Sequence, residues 1–158
     1  MKNKYLTNES HIPSQVKPWL QDKHSFIQRL KKHGVLQPQI SVLKQQRACP
    51  SELERQVLGI SPRQNAFIRE VLIHSENKHW MVARTVIPQK TLTGAERQLQ
   101  YLADRSLGSV IFKNPHLQRS EFDYFCLDEE LWGRRSVFTI RHKLILLSEV
   151  FLRDILCL

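Results

Sequence analysis

Hydrophobic and polar residues alternate with a period of two along most of the chain after residue 40. This alternation is typical of β-strands with one face in a core, because successive side chains point to opposite sides of a sheet. The connections at 74–79 and 141–144 are too short for a crossover, so they predict antiparallel neighbours. Six strands are predicted, at 40–46, 66–74, 79–87, 119–126, 134–141 and 144–152.

Two other stretches carry the signals of helices. Ser25 is a suitable N-cap for a short helix, and Gly34 marks the end of that helix. Its apolar side consists of Phe26, Ile27 and Leu30. Between the third and fourth strands, Thr93 and Glu96 have the spacing of a capping box, and the inward residues that follow are Leu99 and Leu102. We therefore predict the α+β class, with a six-stranded antiparallel sheet and helices on one face.

The length of 158 residues, with 41% hydrophobic and 25% charged residues, is that of one globular domain. Residues 1–13 are polar, and the first predicted helix begins only after residue 20. We therefore predict a poorly ordered N-terminal segment over 1–20 and a single domain over 21–158.

Membrane, disulfide and metal signals are weak throughout the sequence. No apolar run approaches the roughly 20 residues of a transmembrane helix, and the first residues lack the apolar stretch of a signal peptide. Three cysteines without CxxC spacing predict neither a disulfide framework nor a zinc site, and no HExxH motif occurs. We expect a cytoplasmic protein without stable membrane insertion and without a metal.

The net charge of +9 is concentrated near the start of the chain. Residues 1–47 hold nine basic and two acidic side chains, whereas residues 48–158 hold fifteen and thirteen. Such a segment suits nucleic acid, an anionic membrane surface or the steering of an anionic substrate. Few aromatic residues, among them Tyr5 and Trp19, offer stacking there, so we expect no nucleic-acid partner.

Three charged residues occupy positions that strand alternation assigns to apolar faces. They are Arg69 in AFIREVLIH, Arg84 in WMVARTVIP and Glu149 in LILLSEVFL. A turn centred on 76–77 predicts that Arg69 lies directly opposite Arg84. An unpaired buried charge is costly, so an anion is expected beside these arginines. Two interpretations stay open: a structural ion pair with Glu149, or a bound anionic ligand that uses the positive surplus.

These segments resemble the chorismate–pyruvate lyase (chorismate lyase) family of bacterial ubiquinone biosynthesis. The resemblance runs from about residue 25 to residue 152, with the blocks in the family's order and near its spacing. It rests on FIREVLI, WMVARTVIP, TLTGAE, SLGSVIF, LWGRRSVF and LLSEVFL. The resemblance implies a monomeric lyase without cofactors that converts chorismate to 4-hydroxybenzoate and pyruvate, the first committed step of ubiquinone biosynthesis.

The same resemblance implies an internal ligand cavity covered by lid segments. Arg69 would bind the ring carboxylate and Glu149 would approach the ring hydroxyl. The backbones of Phe26 and Leu107 correspond to the other ligand contacts. Two arginines suit a dianion, so we expect Arg84 near the enolpyruvyl group and count Arg69, Glu149 and Arg84 as the catalytic residues.

A second function is compatible with such a fold. Effector-binding domains of some bacterial transcription regulators look similar to it, so a non-catalytic domain that senses small aromatic acids is the alternative. Those domains normally follow a helix-turn-helix domain, and residues 1–24 are too short to contain one.

Overall fold

A computed structural model describes residues 4–6 and 9–158 of the chain. Its centre is one antiparallel sheet with the strand order β1-β6-β7-β8-β4-β3-β2, and β5 pairs with β7 beside that path. The strands are β1 (Lys4–Leu6), β2 (Gln39–Ala48), β3 (Ala66–Ser75), β4 (Lys78–Pro88), β5 (Leu117–Arg119), β6 (Asp123–Leu127), β7 (Leu131–Ile140) and β8 (Lys143–Phe151). The six longer strands confirm the prediction, and β1 and β5 add three residues each.

Four short α-helices and four 3-10 helices connect the strands in the described part of the chain. The α-helices are α1 (Lys17–Gln21), α2 (Phe26–Lys32), α3 (Glu52–Leu58) and α4 (Leu107–Ile111). The 3-10 helices are Glu9–His11, Gln89–Thr91, Gly94–Tyr101 and Arg153–Cys157. None of the helices among the described residues is long and apolar enough to cross a membrane.

The ends of the helices show which of the predicted capping and stop residues act as expected. α2 begins after Ser25, and the chain leaves it through Gly34 at a φ of +89°, as predicted. The predicted capping box at Thr93 is wrong, because neither side chain makes its capping bond. The Thr93 hydroxyl donates to the Lys90 carbonyl, and the Glu96 carboxylate pairs with Lys143 Nζ at 2.5 Å. A capping box does form at the start of α3, where Ser51 and Glu54 exchange side-chain and backbone hydrogen bonds.

The two faces of the sheet pack against different layers. On one face, one apolar cluster contains residues of α1 and α2, and a second cluster contains residues of α4. On the other face, Leu58 of α3 packs with Ile68, Val86 and Leu146. The prediction of helices on one face is therefore wrong for α3, which follows β2 and covers the back of the sheet.

The N-terminal segment enters the core earlier than predicted. Ile12, Val16, Trp19 and Leu20 are all buried in the cluster beside α2. Their spacing is that of one helix face, and burial of this apolar face outweighs the polar character of the residues around it. The domain therefore includes residues well before 21. The part of the prediction that concerns residues 1–3, 7 and 8 lies outside the described residues.

The register of β3 and β4 differs from the predicted one. A bulge between Ile73 and His74 shifts the pairing by one residue, so Arg69 lies opposite Thr85. A shift of one residue moves a side chain to the other face of the sheet. Arg84 lies opposite Glu70 instead, and the predicted Arg69–Arg84 pair is wrong.

Candidate functional site

A cavity lies between the centre of the sheet and the first residues of α2 and α4. Its floor comes from alternate residues of β3, β4 and β8, which strand geometry places on one face. Its cover comes from residues 24–27 and from the segment that starts at residue 106. Most of the wall is apolar, and the charged groups in it are therefore held at low solvent exposure. The charged residues of the lining are Arg69, Arg119 and Glu149.

Arg69 projects from the middle of β3 and is only 2% exposed. Its Nη2 donates to the carbonyl oxygens of Ala103 at 2.5 Å and Arg105 at 3.2 Å, while its Nε has no hydrogen-bond partner. No ion pair with a carboxylate forms at Arg69 among the described residues. Burial lowers the pKa of its guanidinium, which is a desolvation cost that an anionic ligand would offset.

Glu149 stands on β8 and is held by a buried arginine of the neighbouring strand. Arg134 Nε donates to Glu149 Oε2 at 2.6 Å, and Arg134 Nη2 donates to Oε1 at 3.3 Å. The third nitrogen, Nη1, donates to the carbonyls of Trp19, Leu20 and Asp22 at the end of α1. Because Arg134 is 1% exposed and its nitrogens are all engaged, it fixes the carboxylate rather than facing a ligand.

Arg119 reaches the same carboxylate from β5. Its Nη2 lies 3.3 Å from Glu149 Oε2, and its Nε donates to Ser136 Oγ at 2.9 Å. The guanidinium carbon lies 4.4 Å from the ring centroid of Phe122 and 4.6 Å from that of Phe138. Burial lowers the pKa of Arg119 to about 10 despite the nearby carboxylate, so the side chain still carries its charge at neutral pH.

The site is therefore a positively charged pocket. Arg119 and Arg134 both contact the Glu149 carboxylate, and Arg119 and Arg69 line the cavity. Buried positive charge of this kind is unfavourable without a counterion, since burial removes the water that would otherwise solvate each guanidinium. The arrangement is suited to a small ligand that carries more than one negative charge.

The two predicted backbone contacts lie at the cavity cover. Phe26 is the first residue of α2, and its ring packs edge-on against Trp19 and Phe151. Leu107 is the first residue of α4, which the Ser106 side chain caps at the backbone nitrogen of Ser109. Both line the cavity, so they are brought together with Arg69 and Glu149.

Arg84, by contrast, lies on the back of the sheet and does not line the cavity. Its Nε and Nη2 donate to Glu54 at 2.6 and 3.0 Å, and its Nη1 donates to Glu70 at 2.5 Å. Burial alone would raise the pKa of Glu54, but hydrogen bonds from Arg84 and Ser51 outweigh it and lower that pKa. The geometry assigns Arg84 to a structural network with α3, and we do not retain it in the site.

Sequence reasoning missed Arg119 and assigned no role to Arg134. Arg134 alternates with Trp132, Ser136 and Phe138, so the strand argument that selected Arg69 would also have selected it. Arg119 belongs to a strand of only three residues, which is too short to show a period.

Comparison with solved structures shows where this fold occurs. PhnF from Mycobacterium smegmatis aligns with a TM-score of 0.61 and 11% identity, over 84% of this chain and 65% of that chain. The effector domain of PhnF aligns with a TM-score of 0.55 and 12% identity, over 82% and 89%. A GntR-family transcriptional regulator from Bacillus cereus aligns with a TM-score of 0.54 and 13% identity, over 74% of this chain and 92% of that chain. At such low identity these likenesses concern the fold alone.

Sequence comparison identifies the family. The chain is 35% identical to the chorismate pyruvate-lyase of Hamiltonella defensa, over 91% of this chain and 81% of that protein. It is 33% identical to the enzyme of the same name from Salmonella newport, over 85% and 80%. The family model described as chorismate lyase matches residues 5–156. With its buried arginines around one carboxylate, this chain belongs to the chorismate lyase family.

Proposed function

We propose that this protein is a lyase that converts chorismate to 4-hydroxybenzoate and pyruvate. Chorismate carries two carboxylates, one on the ring and one on the enolpyruvyl ether. The two guanidiniums that line the cavity, those of Arg69 and Arg119, match the two carboxylates of this dianion.

The reaction requires positioning more than strong acid or base catalysis. The ether C–O bond to the ring breaks, and the ring carbon that bears the hydroxyl loses its hydrogen as a proton. The electron pair of that C–H bond completes the aromatic ring, and the enol of pyruvate leaves and takes up a proton at its methylene carbon. Aromatisation makes the step strongly favourable, so binding in the eliminating geometry supplies most of the acceleration.

Arg69 is the group suited to the ring carboxylate, because its guanidinium is buried and faces the cavity without an acidic partner among the described residues. Glu149 is suited to the ring hydroxyl, which would donate to a carboxylate oxygen. Arg134 holds that carboxylate in a fixed orientation from behind. The cover formed by the starts of α2 and α4 excludes water, which strengthens each of these interactions.

The observation that carries the proposal is the buried guanidinium of Arg69 beside the cavity, which has no carboxylate partner among the described residues. The test is to mix purified protein with chorismate and measure both 4-hydroxybenzoate and pyruvate. We expect turnover in the wild type and a fall in kcat/KM of about 100-fold or more in Arg69→Ala, because loss of a buried charge pair costs several kcal/mol. Arg63→Gln, at an exposed position, is the matched control.

The sensing domain is not favoured, because the relatives that match most of this chain are named as lyases. The same assay separates the two functions. Tight binding of 4-hydroxybenzoate by the wild type, with no pyruvate released from chorismate, would contradict the lyase and support a sensor.

A further inference from the structure

Arg119 is a cavity residue that the binding of the ring alone does not explain. The ring of chorismate needs one cation for its carboxylate and one acceptor for its hydroxyl, which Arg69 and Glu149 supply. We propose that Arg119 binds the carboxylate of the enolpyruvyl group and so adds affinity for the dianionic substrate that the monoanionic product does not share. This inference rests on the proposed function, since it assigns the second charge of the same substrate.

The position of Arg119 follows from the chemistry of the substrate. The enolpyruvyl ether is attached to the ring carbon next to the one that bears the hydroxyl. With the hydroxyl at Glu149, the ether and its carboxylate therefore lie at the same end of the cavity. Arg119 Nη2 lies 3.3 Å from Glu149 Oε2 and belongs to the cavity lining, at the required end.

The other basic groups near the site are unsuitable for this role. Arg69 projects from the middle of β3 and is assigned to the ring carboxylate, while Arg134 is 1% exposed and has every nitrogen engaged. His24 lines the cavity, but its side chain is 89% exposed and bonded to Asp22. Among the cavity-lining residues of the described chain, Arg119 is thus the remaining guanidinium.

The contacts of Arg119 leave it free to bind a carboxylate. Its bonds from Nη1 to the Lys23 carbonyl, at 3.4 Å, and from Nη2 to Glu149, at 3.3 Å, are long for charge-assisted hydrogen bonds, which are usually about 2.7–2.9 Å. The shorter bond from Nε to Ser136 and the rings of Phe122 and Phe138 fix the plane of the guanidinium. Both Nη atoms are therefore held in place, with weak partners that a ligand can replace.

A second cation of this kind has a consequence for turnover. Once the C–O bond breaks, pyruvate departs with its own carboxylate, and 4-hydroxybenzoate offers the Arg119 guanidinium no carboxylate at that end of the cavity. The product then keeps the Arg69 and Glu149 interactions only. Arg119 would therefore contribute more to the affinity for chorismate than to that for 4-hydroxybenzoate.

The experiment compares the two ligands in matched variants. For Arg119→Met, Arg119→Lys, the exposed control Arg63→Gln and the wild type, we would measure kcat/KM for chorismate and the inhibition constant of 4-hydroxybenzoate. We expect Arg119→Met to lower kcat/KM about 100-fold and to change the inhibition constant less than about threefold. Arg119→Lys, which keeps the charge but not the fork, should recover about tenfold.

An equal loss in both constants would overturn the inference, because it would mean that Arg119 acts only by holding Glu149. Circular dichroism and urea unfolding identify a variant that fails to fold, in which case the ratio of the two constants in Arg119→Lys decides the question. If the wild type releases no pyruvate, the proposed function fails separately. Calorimetric binding of chorismate and 4-hydroxybenzoate to the same variants would then test the selection by charge directly.

Discussion

Replacement of Arg134 by methionine tests the buried network behind Glu149. Methionine keeps most of the length and the apolar stem of the arginine but removes its five N–H donors. The change breaks two hydrogen bonds to Glu149 and leaves three carbonyl oxygens at the end of α1 without this donor. The carboxylate stays in place, 5% exposed, with the longer contact to Arg119.

The expected cost follows from that geometry. Removal of one partner from a buried ion pair typically costs about 3–5 kcal/mol, because the remaining charge is desolvated and uncompensated. The contact from Arg119 lowers this cost and the orphaned carbonyls raise it. We therefore expect Arg134→Met to lower the free energy of unfolding by about 3–5 kcal/mol, a large share of the 5–15 kcal/mol typical of a domain.

Urea unfolding at pH 7 measures this difference, with far-UV circular dichroism as the signal. Arg135→Met is the matched control, since its carboxylate contact is with Asp123, whose side chain is 70% exposed and stays solvated. We expect a smaller loss there than in Arg134→Met, because the carboxylate left behind stays in water. The double variant Arg134→Met/Glu149→Gln removes the uncompensated charge and should be more stable than Arg134→Met by about 1–3 kcal/mol.

Two results would refute this reasoning. One is an Arg134→Met variant within about 1 kcal/mol of the wild type, because a buried carboxylate without its main partner cannot be that well tolerated. The other is a double variant less stable than Arg134→Met, which would show that Glu149 stabilises the fold without the arginine.

Three further outcomes are expected. The pKa of Asp22 is lowered from 3.8 to about 2, because hydrogen bonds from Arg29 and His24 outweigh burial, which alone would raise it. Its contribution to stability is thus present above pH 3.8 and lost as the pH falls toward 2, and Asp22→Asn should flatten an acid-unfolding curve in that range. Gly133→Ala should lower the melting temperature, since an added Cβ would lie 2.8 Å from the backbone oxygen of Glu149. Burial raises the pKa of Cys126, so a thiol reagent should modify the two exposed cysteines quickly and Cys126 only in denaturant.

Strand alternation predicted the faces of the sheet correctly, because the face of a side chain depends on its own strand alone. Arg69 and Glu149 were assigned to apolar faces in this way, and both line the cavity. Register is a relation between two strands, and one bulge after Ile73 moved Arg84 away from Arg69. The sequence does not reveal such a bulge, since it is set by the packing of the whole sheet.

The charges around Glu149 were harder to predict for a different reason. Arg119, Arg134 and the end of α1 are far apart in the chain and meet only through tertiary packing. The assignment of 1–20 to a poorly ordered segment followed composition, whereas the structure shows that a few well-spaced apolar residues suffice for docking.

The position of β8 in the sheet has a consequence for the order of folding. β8 pairs with β4 on one side and β7 on the other, so it joins the part of the sheet formed by β2, β3 and β4 to the part formed by β6 and β7. It also follows all of these strands in the chain, so during synthesis the two parts of the sheet are made before the strand that joins them. Its pairing with β4 joins strands that are far apart in the chain, and such non-local pairing is slow. The strand that completes the sheet is also the one that brings Glu149 to the arginines.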